Sequence, residues 1–231
     1  MLNLREGCFE LPEDEARHAV KALRASVGDS FKLIDGRGGS AEAVVVEIGK
    51  RSCTVEVISI ERDSPSTPSL TMIVSPTKQT DRFEWFLEKA VEIGVDKIIP
   101  VFTSRSERKV EKHERWEKVL VSAMKQSQRT WLPELSKACS LEEAMELVGD
   151  SMLCVAHCMS SIEGGEKKHL LHTVEKGHSA CIAIGPEGDF TEDEAKLMIA
   201  KGGVEISLGE SRLRTETAAI AAVTYFRAIQ A

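Results

Sequence analysis

No stretch of the 231-residue chain approaches eighteen consecutive apolar residues, so no membrane-spanning helix is expected. The opening Met1-Leu2-Asn3-Leu4-Arg5-Glu6-Gly7 does not follow the basic-then-apolar pattern of a secretory signal, which makes the cytoplasm the expected location. The six cysteines, at 8, 53, 139, 154, 158 and 181, include no CxxC pair. Cys53, Cys154 and Cys181 fall inside apolar strand patterns, where a free cysteine packs as a small hydrophobe. Cys154, His157 and Cys158 could suggest a metal, but an extended strand sets 154 and 158 on one face and 157 on the other, so no metal is expected. Neither GxxxxGK[ST] nor a strand-borne GxGxxG is present, which argues against ATP hydrolysis and Rossmann-type NAD binding. The GxSxG elbow of hydrolases is also missing, as are internal repeats and low-complexity tracts.

Hydrophobic residues make up 42% of the chain and charged residues 29%, ordinary values for a globular protein. A net charge of −7 argues against indiscriminate nucleic-acid binding, which rests on phosphate neutralisation. The charge is uneven, however. Between Thr103 and Arg129, lysines and arginines at 105, 108, 109, 112, 115, 118, 125 and 129 face glutamates only at 107, 111, 114 and 117. Helical pairs such as Glu111–Arg115 and Glu114–Lys118 account for the middle of that stretch. Arg105, Arg108 and Arg129, at its ends, are left unexplained.

Pro12-Glu13-Asp14-Glu15 opens a helix with Ala16, Ala19, Val20 and Leu23 on one apolar face. Strands are expected at Phe31–Ile34, Ala41–Ile48 and Cys53–Ile60, with turns at Gly28-Asp29, at 35–39 and at Gly49-Lys50. One short helix among closely spaced strands suggests a small β-rich barrel. Ser64-Pro65-Ser66-Thr67-Pro68-Ser69 reads as a linker, because its two prolines can neither continue a helix nor pair in a central strand. Beyond it strands and helices alternate, the mark of an α/β sheet. Strands are expected at 70–74, 97–101, 152–156, 180–184 and 204–208, and helices after Asp81-x-x-Glu84, over 116–124, after Ser140-x-x-Glu143 and over 217–230. This organisation predicts a domain at 1–63 and a second at 70–231.

Two runs in the last fifty residues carry more than architecture needs. Ile182-Ala183-Ile184-Gly185-Pro186-Glu187-Gly188-Asp189-Phe190-Thr191 leaves an apolar strand, breaks at glycine and re-enters a helix, with Thr191 and Glu194 as a capping box. Ser207-Leu208-Gly209-Glu210-Ser211-Arg212-Leu213-Arg214-Thr215-Glu216-Thr217 sets two arginines, carboxylates and two threonines before an alanine-rich helix. Each alone reads as a turn and a cap; together, at the carboxyl ends of strands, they mark a site.

The two runs resemble the C-terminal signature of the RsmE family, the ribosomal small-subunit RNA (uracil-N3)-methyltransferases of the SPOUT class. Further blocks carry the likeness along nearly the whole chain: Phe83-Glu84-x-x-x-x-Lys89-Ala90-x-Glu92-x-Gly94-Val95, Arg105-Ser106, and Gln126-Ser127-x-Arg129-x-x-x-Pro133. The stretch His18-x-x-Lys21-x-Leu23-Arg24, with Val27-Gly28-Asp29 and Asp35-Gly36, is similar to the family's PUA-like N-terminal domain. The arginine- and aromatic-bearing arm usual at the start is not evident in Met1 to Cys8, and Ser211-Arg212 stands where an Arg-apolar pair is common.

The resemblance implies a fold and an activity. The fold would be an α/β SPOUT domain with a C-terminal trefoil knot, preceded by the PUA-like β-barrel. The protein would be an S-adenosylmethionine-dependent enzyme, a homodimer paired through the closing helix, acting on 16S ribosomal RNA in the small subunit. It places the cofactor against Ala156, His157, Ile184, Gly185, Pro186, Glu187, Gly188, Leu208, Gly209, Leu213, Thr215 and Thr217. Uracil N3 becomes nucleophilic on losing its proton, so arginine is suited to stabilise the anion. Arg214, Arg129 and Arg105 are the candidates, with Glu216 orienting an arginine or accepting a proton; a loop-fixing Arg214–Glu216 salt bridge is the structural alternative. Lys89 and Glu92 read as an intrahelical pair. A SPOUT enzyme acting on transfer RNA or another base, and a non-catalytic RNA-binding adaptor, stay open.

Overall fold

The computed structural model describes residues 2–231, and the chain divides into two compact units. One comprises the residues up to Pro65 together with Met124–Leu132; the other comprises Ser66–Ala123 and Pro133–Ala231.

The first unit is an antiparallel sheet of β1 (Gly7–Glu10), β2 (Ser30–Ile34), β3 (Gly39–Ile48), β4 (Cys53–Val57) and β5 (Glu61–Arg62), in the order β1-β4-β3-β2 with β5 paired to β3. Alternate residues of β3 and β4, among them Ala41, Ala43, Val45, Cys53, Val55 and Val57, enclose its core with Phe9, Ala16 and Ala19. The strand expected to reach Ile60 stops at Val57, leaving Ile58 82% exposed. The helix is shorter than its apolar face suggests. α1 (Glu13–Arg17) passes into a π-helical turn, His18–Ala22, closed by the Leu23 N–H on the His18 carbonyl at 3.1 Å. Arg24 then takes φ +53°, which turns the chain and leaves Leu23 exposed. Arg5 lies 5.3 Å from the ring of Phe9, which is buried in the core of this sheet. The later segment joins this unit through the Gly38 N–H on the Thr130 carbonyl (2.9 Å) and the Trp131 Nε1–H on the Asp63 carbonyl (3.1 Å).

The second unit is built on a seven-stranded sheet in which every pairing is parallel. It comprises β6 (Leu70–Val74), β7 (Lys97–Pro100), β8 (Glu134–Leu135), β9 (Met152–Ala156), β10 (Lys168–His169), β11 (Ala180–Ile184) and β12 (Val204–Ser207), ordered β10-β12-β9-β11-β6-β7-β8. All residues of β6 and β11 are buried, as expected of strands covered on both faces. The chain runs outward from β6 to β8, then resumes on the other side of β6 at β9 and fills the gap with β11. Such reversals open a crevice at the carboxyl ends of strands.

The helices are α2 (Thr80–Ile93), α3 (His113–Ser127), α4 (Leu141–Glu146), α5 (Glu192–Ala200) and α6 (Thr215–Gln230). Both capping boxes form, Ser140 with Glu143 and Thr191 with Glu194. Asp81 and Glu84 do not cap α2: its N-cap is Gln79, and Glu84 accepts from Arg115 at 2.6 Å. That contact replaces the expected Glu111–Arg115 pair, and Glu111 instead accepts the Ala138 N–H. Lys89 and Glu92 pair within α2 at 2.9 Å. α6 buries Ala219, Ala222, Val223 and Phe226 and packs on α2, while Thr217, Thr224 and Ala228 are exposed. One face of α6 is therefore covered within the chain. No helix among the described residues is long and apolar enough to cross a membrane.

Candidate active site

Loops leaving the carboxyl ends of β9, β11 and β12 enclose a cavity of about 690 Å³. That size is within the range of roughly 300–1,000 Å³ usual for small-molecule and cofactor sites. Its wall includes Ala156, His157, Ile184, Gly185, Pro186, Glu187, Leu208, Gly209, Leu213, Arg214 and Thr215, which the sequence had nominated.

The 185–190 loop is tied to each loop around it. Thr215 Oγ1–H donates to the Gly185 carbonyl at 3.1 Å in a buried contact, joining it to the start of α6. Asp189, at φ +65°, accepts the Cys158 N–H at 2.7 Å and its neighbour's Phe190 N–H at 2.8 Å. Glu187 accepts the Lys78 N–H at 3.0 Å. Arg105 donates to the Gly188 carbonyl (2.9 Å) and the Phe190 carbonyl (3.1 Å). Gly185 is required by crowding, because a Cβ there would stand 2.8 Å from the Phe190 nitrogen. Gly209 is required by its φ of +132°.

A second network shapes the loop after β9. Glu205, in the middle of apolar β12, accepts from His157 Nε2 (2.7 Å), Ser161 Oγ (2.7 Å), the Ile162 N–H (2.9 Å) and the Glu163 N–H (3.1 Å). Burial alone would raise its pKa, but these donors outweigh it and bring the carboxyl down to about 2. His157 Nδ1 is buried in the cavity wall without a hydrogen-bond partner. Lys167 donates to the His157 and Met159 carbonyls, closing the loop on itself.

Several nominated residues lie elsewhere. Gly188 is not in the wall; a Cβ there would meet Arg105 Cβ at 3.3 Å. Thr217 is exposed on the first turn of α6. Arg105 is engaged in holding the 185–190 loop. Arg129 belongs to the first unit, where its N–H bonds the Met124 carbonyl. Glu216 is 8% exposed and pairs with Arg82 at 3.6 Å, not with Arg214, and its Oε2 is buried without a hydrogen bond. Arg82, one-third exposed, was not nominated at all. Nor were the wall residues Cys158, Met159, Lys167 and Asp189; Ser211-Arg212, which stands in the sequence where an Arg-apolar pair is common, also lies in the wall. The signal for the His157 network was present: a glutamate between Val204 and Ile206 interrupts a strand that should be apolar. Arg82, on a helix face with other charges, carried no such mark.

Among the described residues no three His, Cys, Asp or Glu side chains form a metal-binding group. Burial pushes the Cys154 and Cys181 thiols up to about 12, which keeps them protonated and inert. The cavity therefore offers backbone groups, the half-buried Leu208 and Leu213, and a rim of Arg212 and Arg214. That arrangement suits a cofactor held largely by main chain beside an anionic reactant.

Residues 64–227 match the family described as the RNA methyltransferase domain, and residues 11–58 match the RNA methyltransferase PUA domain. The chain is 29% identical over 229 residues to Ribosomal RNA small subunit methyltransferase E of Bacillus subtilis (strain 168), covering 94% of this chain and 90% of that one. To the protein of the same name from Rickettsia conorii it is 32% identical over 222 residues, covering 95% and 89%. Among solved structures it is similar to a probable rRNA-methyltransferase from Porphyromonas gingivalis, with a TM-score of 0.86 and 36% identity over 96% and 93% of the chains. Ribosomal RNA small subunit methyltransferase E from Neisseria gonorrhoeae, bound to S-adenosyl methionine, gives 0.85 and 28% over 99% and 95%.

Proposed function

This chain belongs to the RNA methyltransferase family that includes the Ribosomal RNA small subunit methyltransferase E proteins, and from that we propose that it transfers a methyl group from S-adenosylmethionine to N3 of a specific uridine in 16S ribosomal RNA. The observation that carries this reading is the cavity at the carboxyl ends of β9, β11 and β12, walled by main chain and rimmed by Arg212 and Arg214.

The cavity fits the cofactor. Its volume is that of a cofactor pocket, Gly185 leaves no room for a side chain beside the wall, and the unpartnered His157 Nδ1 is a polar atom awaiting a ligand group. Main chain at Ala156, Ile184, Gly185, Leu208, Gly209 and Leu213, with Thr215 fixing the Gly185 carbonyl, would hold it. Bound there, S-adenosylmethionine supplies a methyl group on a positively charged sulfur.

The protein's own task is positioning and charge stabilisation. The N3 proton passes to solvent water, and the negative charge it leaves spreads to the ring oxygens. Arg214 faces that charge, and Arg212 supplies the second cation where Ser211 replaces the arginine common in the resemblance. Arrival of the methyl group at N3 would discharge the ring anion that Arg214 and Arg212 stabilise. Glu216 is sealed from solvent, so its part is to orient Arg82, not to take the proton. The target uridine must leave any base pair before its N3 edge is reachable.

The same reading carries a trefoil knot in the C-terminal loops, a cytoplasmic site of action, and a homodimer in which Arg105 and Arg129 approach the neighbour's pocket. The exposed small residues Thr217, Thr224 and Ala228 leave room on α6 for a partner helix. The test in cells is mass spectrometry of ribosomal RNA nucleosides with and without this protein. Loss of 3-methyluridine from small-subunit RNA is expected. Loss of a different modified base, or one from transfer RNA, would replace the substrate.

A further inference from the structure

We propose that Lys167 binds the α-carboxylate of the cofactor and so selects for the amino-acid end of S-adenosylmethionine. The inference rests on the reading of the cavity as a cofactor site. Lys167 ends the loop leaving β9 and lies in the cavity wall, immediately before β10.

The ammonium is held in place by the loop itself. β10 pairs in parallel with β12, Lys168 opposite Ile206, which fixes the main chain beside Lys167. Its Nζ donates to the His157 and Met159 carbonyls, the latter at 2.8 Å. An ammonium has three N–H donors, so these two contacts leave one over. Among the described residues Lys167 makes no ion pair, although Glu163 and Glu166 stand in the same loop. Nor does it pair with Glu187, Asp189 or Glu210, the carboxylates of the wall. Glu187 and Asp189 accept from main-chain N–H groups instead. A half-buried cation anchored only on neutral carbonyls keeps its charge uncompensated beside the cavity.

The sign of that charge decides which part of the cofactor it meets. S-adenosylmethionine carries two cations, the sulfonium and the α-ammonium, and one anion, the α-carboxylate. A fixed ammonium repels the first two and attracts the third. Arg212 and Arg214 are the other cations of the wall, but both are exposed and belong to the loop leaving β12. Among the described residues neither guanidinium is hydrogen-bonded. Lys167 is already pinned and loses less freedom on binding than they would. The carboxylate therefore falls to Lys167, which leaves the two arginines for the ring anion of the base.

The test is calorimetry on the full chain with S-adenosylmethionine and with its decarboxylated analogue, which keeps the sulfonium and the amine. The parent should bind S-adenosylmethionine at least about tenfold more tightly, the size expected of one hydrogen bond between charged groups. Lys167→Met should lose that preference by weakening S-adenosylmethionine alone, and Lys167→Arg should recover part of it. Lys167→Gln keeps donors for the two carbonyls without the charge, so it should behave as Lys167→Met and replaces it if that variant does not fold. Equal weakening of both compounds would reduce Lys167 to a fastener of the loop and overturn the proposal. So would an unchanged preference in the uncharged variants. A parent that binds both compounds equally well would overturn the proposal and leave the functional reading intact. A parent that binds neither would overturn the functional reading itself.

Discussion

The Thr215 hydroxyl donates to the Gly185 carbonyl at 3.1 Å in a buried contact, so the loop after β11 and the start of α6 move as one piece. Thr215→Val keeps the shape and deletes the donor. Leaving a buried carbonyl unpaired costs about 1–3 kcal/mol. A lower melting temperature and a several-fold weaker S-adenosylmethionine affinity are expected together. A fall in melting temperature with unchanged affinity would separate this contact from the site.

Gly185 and Gly188 should respond differently to alanine. At 185 the new Cβ meets backbone at 2.8 Å and the loop must shift, so cofactor binding should be largely lost. At 188 it meets the Arg105 side chain at 3.3 Å, which can yield by a few tenths of an ångström. A modest effect is expected there. Calorimetry on both variants decides, and equal losses would contradict the placement of Gly188 outside the wall.

Glu205 predicts an acid limb of stability. Its carboxyl is depressed from the ordinary glutamate value of 4.5 to about 2, so the stability it contributes is complete above the unfolded value. That contribution is lost as pH falls through the window between those two values. Glu205→Gln should lower the melting temperature at neutral pH and flatten the stability curve across the window. An unaltered acid limb would remove Glu205 from the linkage.

Arg82 and Glu216 should act as a unit. Arg82→Ala and Glu216→Gln should each lower turnover, and the double variant should cost little more than either alone. Cofactor affinity should hardly change. Additive losses would mean that the 3.6 Å pair has no functional coupling.

Much of this was legible in the sequence. The strands of the second unit were readable because β9 and β11 are short and continuously apolar, and β6 is apolar but for Thr71, as buried parallel strands tend to be. The glycine loops were readable because Gly185 and Gly209 meet steric demands that other residues fail. Strands of two residues, β5, β8 and β10, carry no period to detect. The return of Met124–Leu132 to the first unit depends on hydrogen bonds to Gly36, Gly38 and Asp63, which no local pattern announces. Arg82–Glu216 and Arg115–Glu84 join positions 134 and 31 residues apart, and the partner of a charge at that range is set by the fold.

Methyl transfer by purified protein tests the central claim most directly. The chain is incubated with small-subunit RNA lacking the modification and with S-adenosylmethionine labelled in its methyl group, and the RNA is digested for mass spectrometry. Label should appear as 3-methyluridine at one position. Arg214→Ala should lower the rate about 10²–10³-fold, the size expected for losing one stabiliser of developing charge. Its cofactor affinity should be retained. No labelled nucleoside, or full activity in Arg214→Ala, would contradict the account.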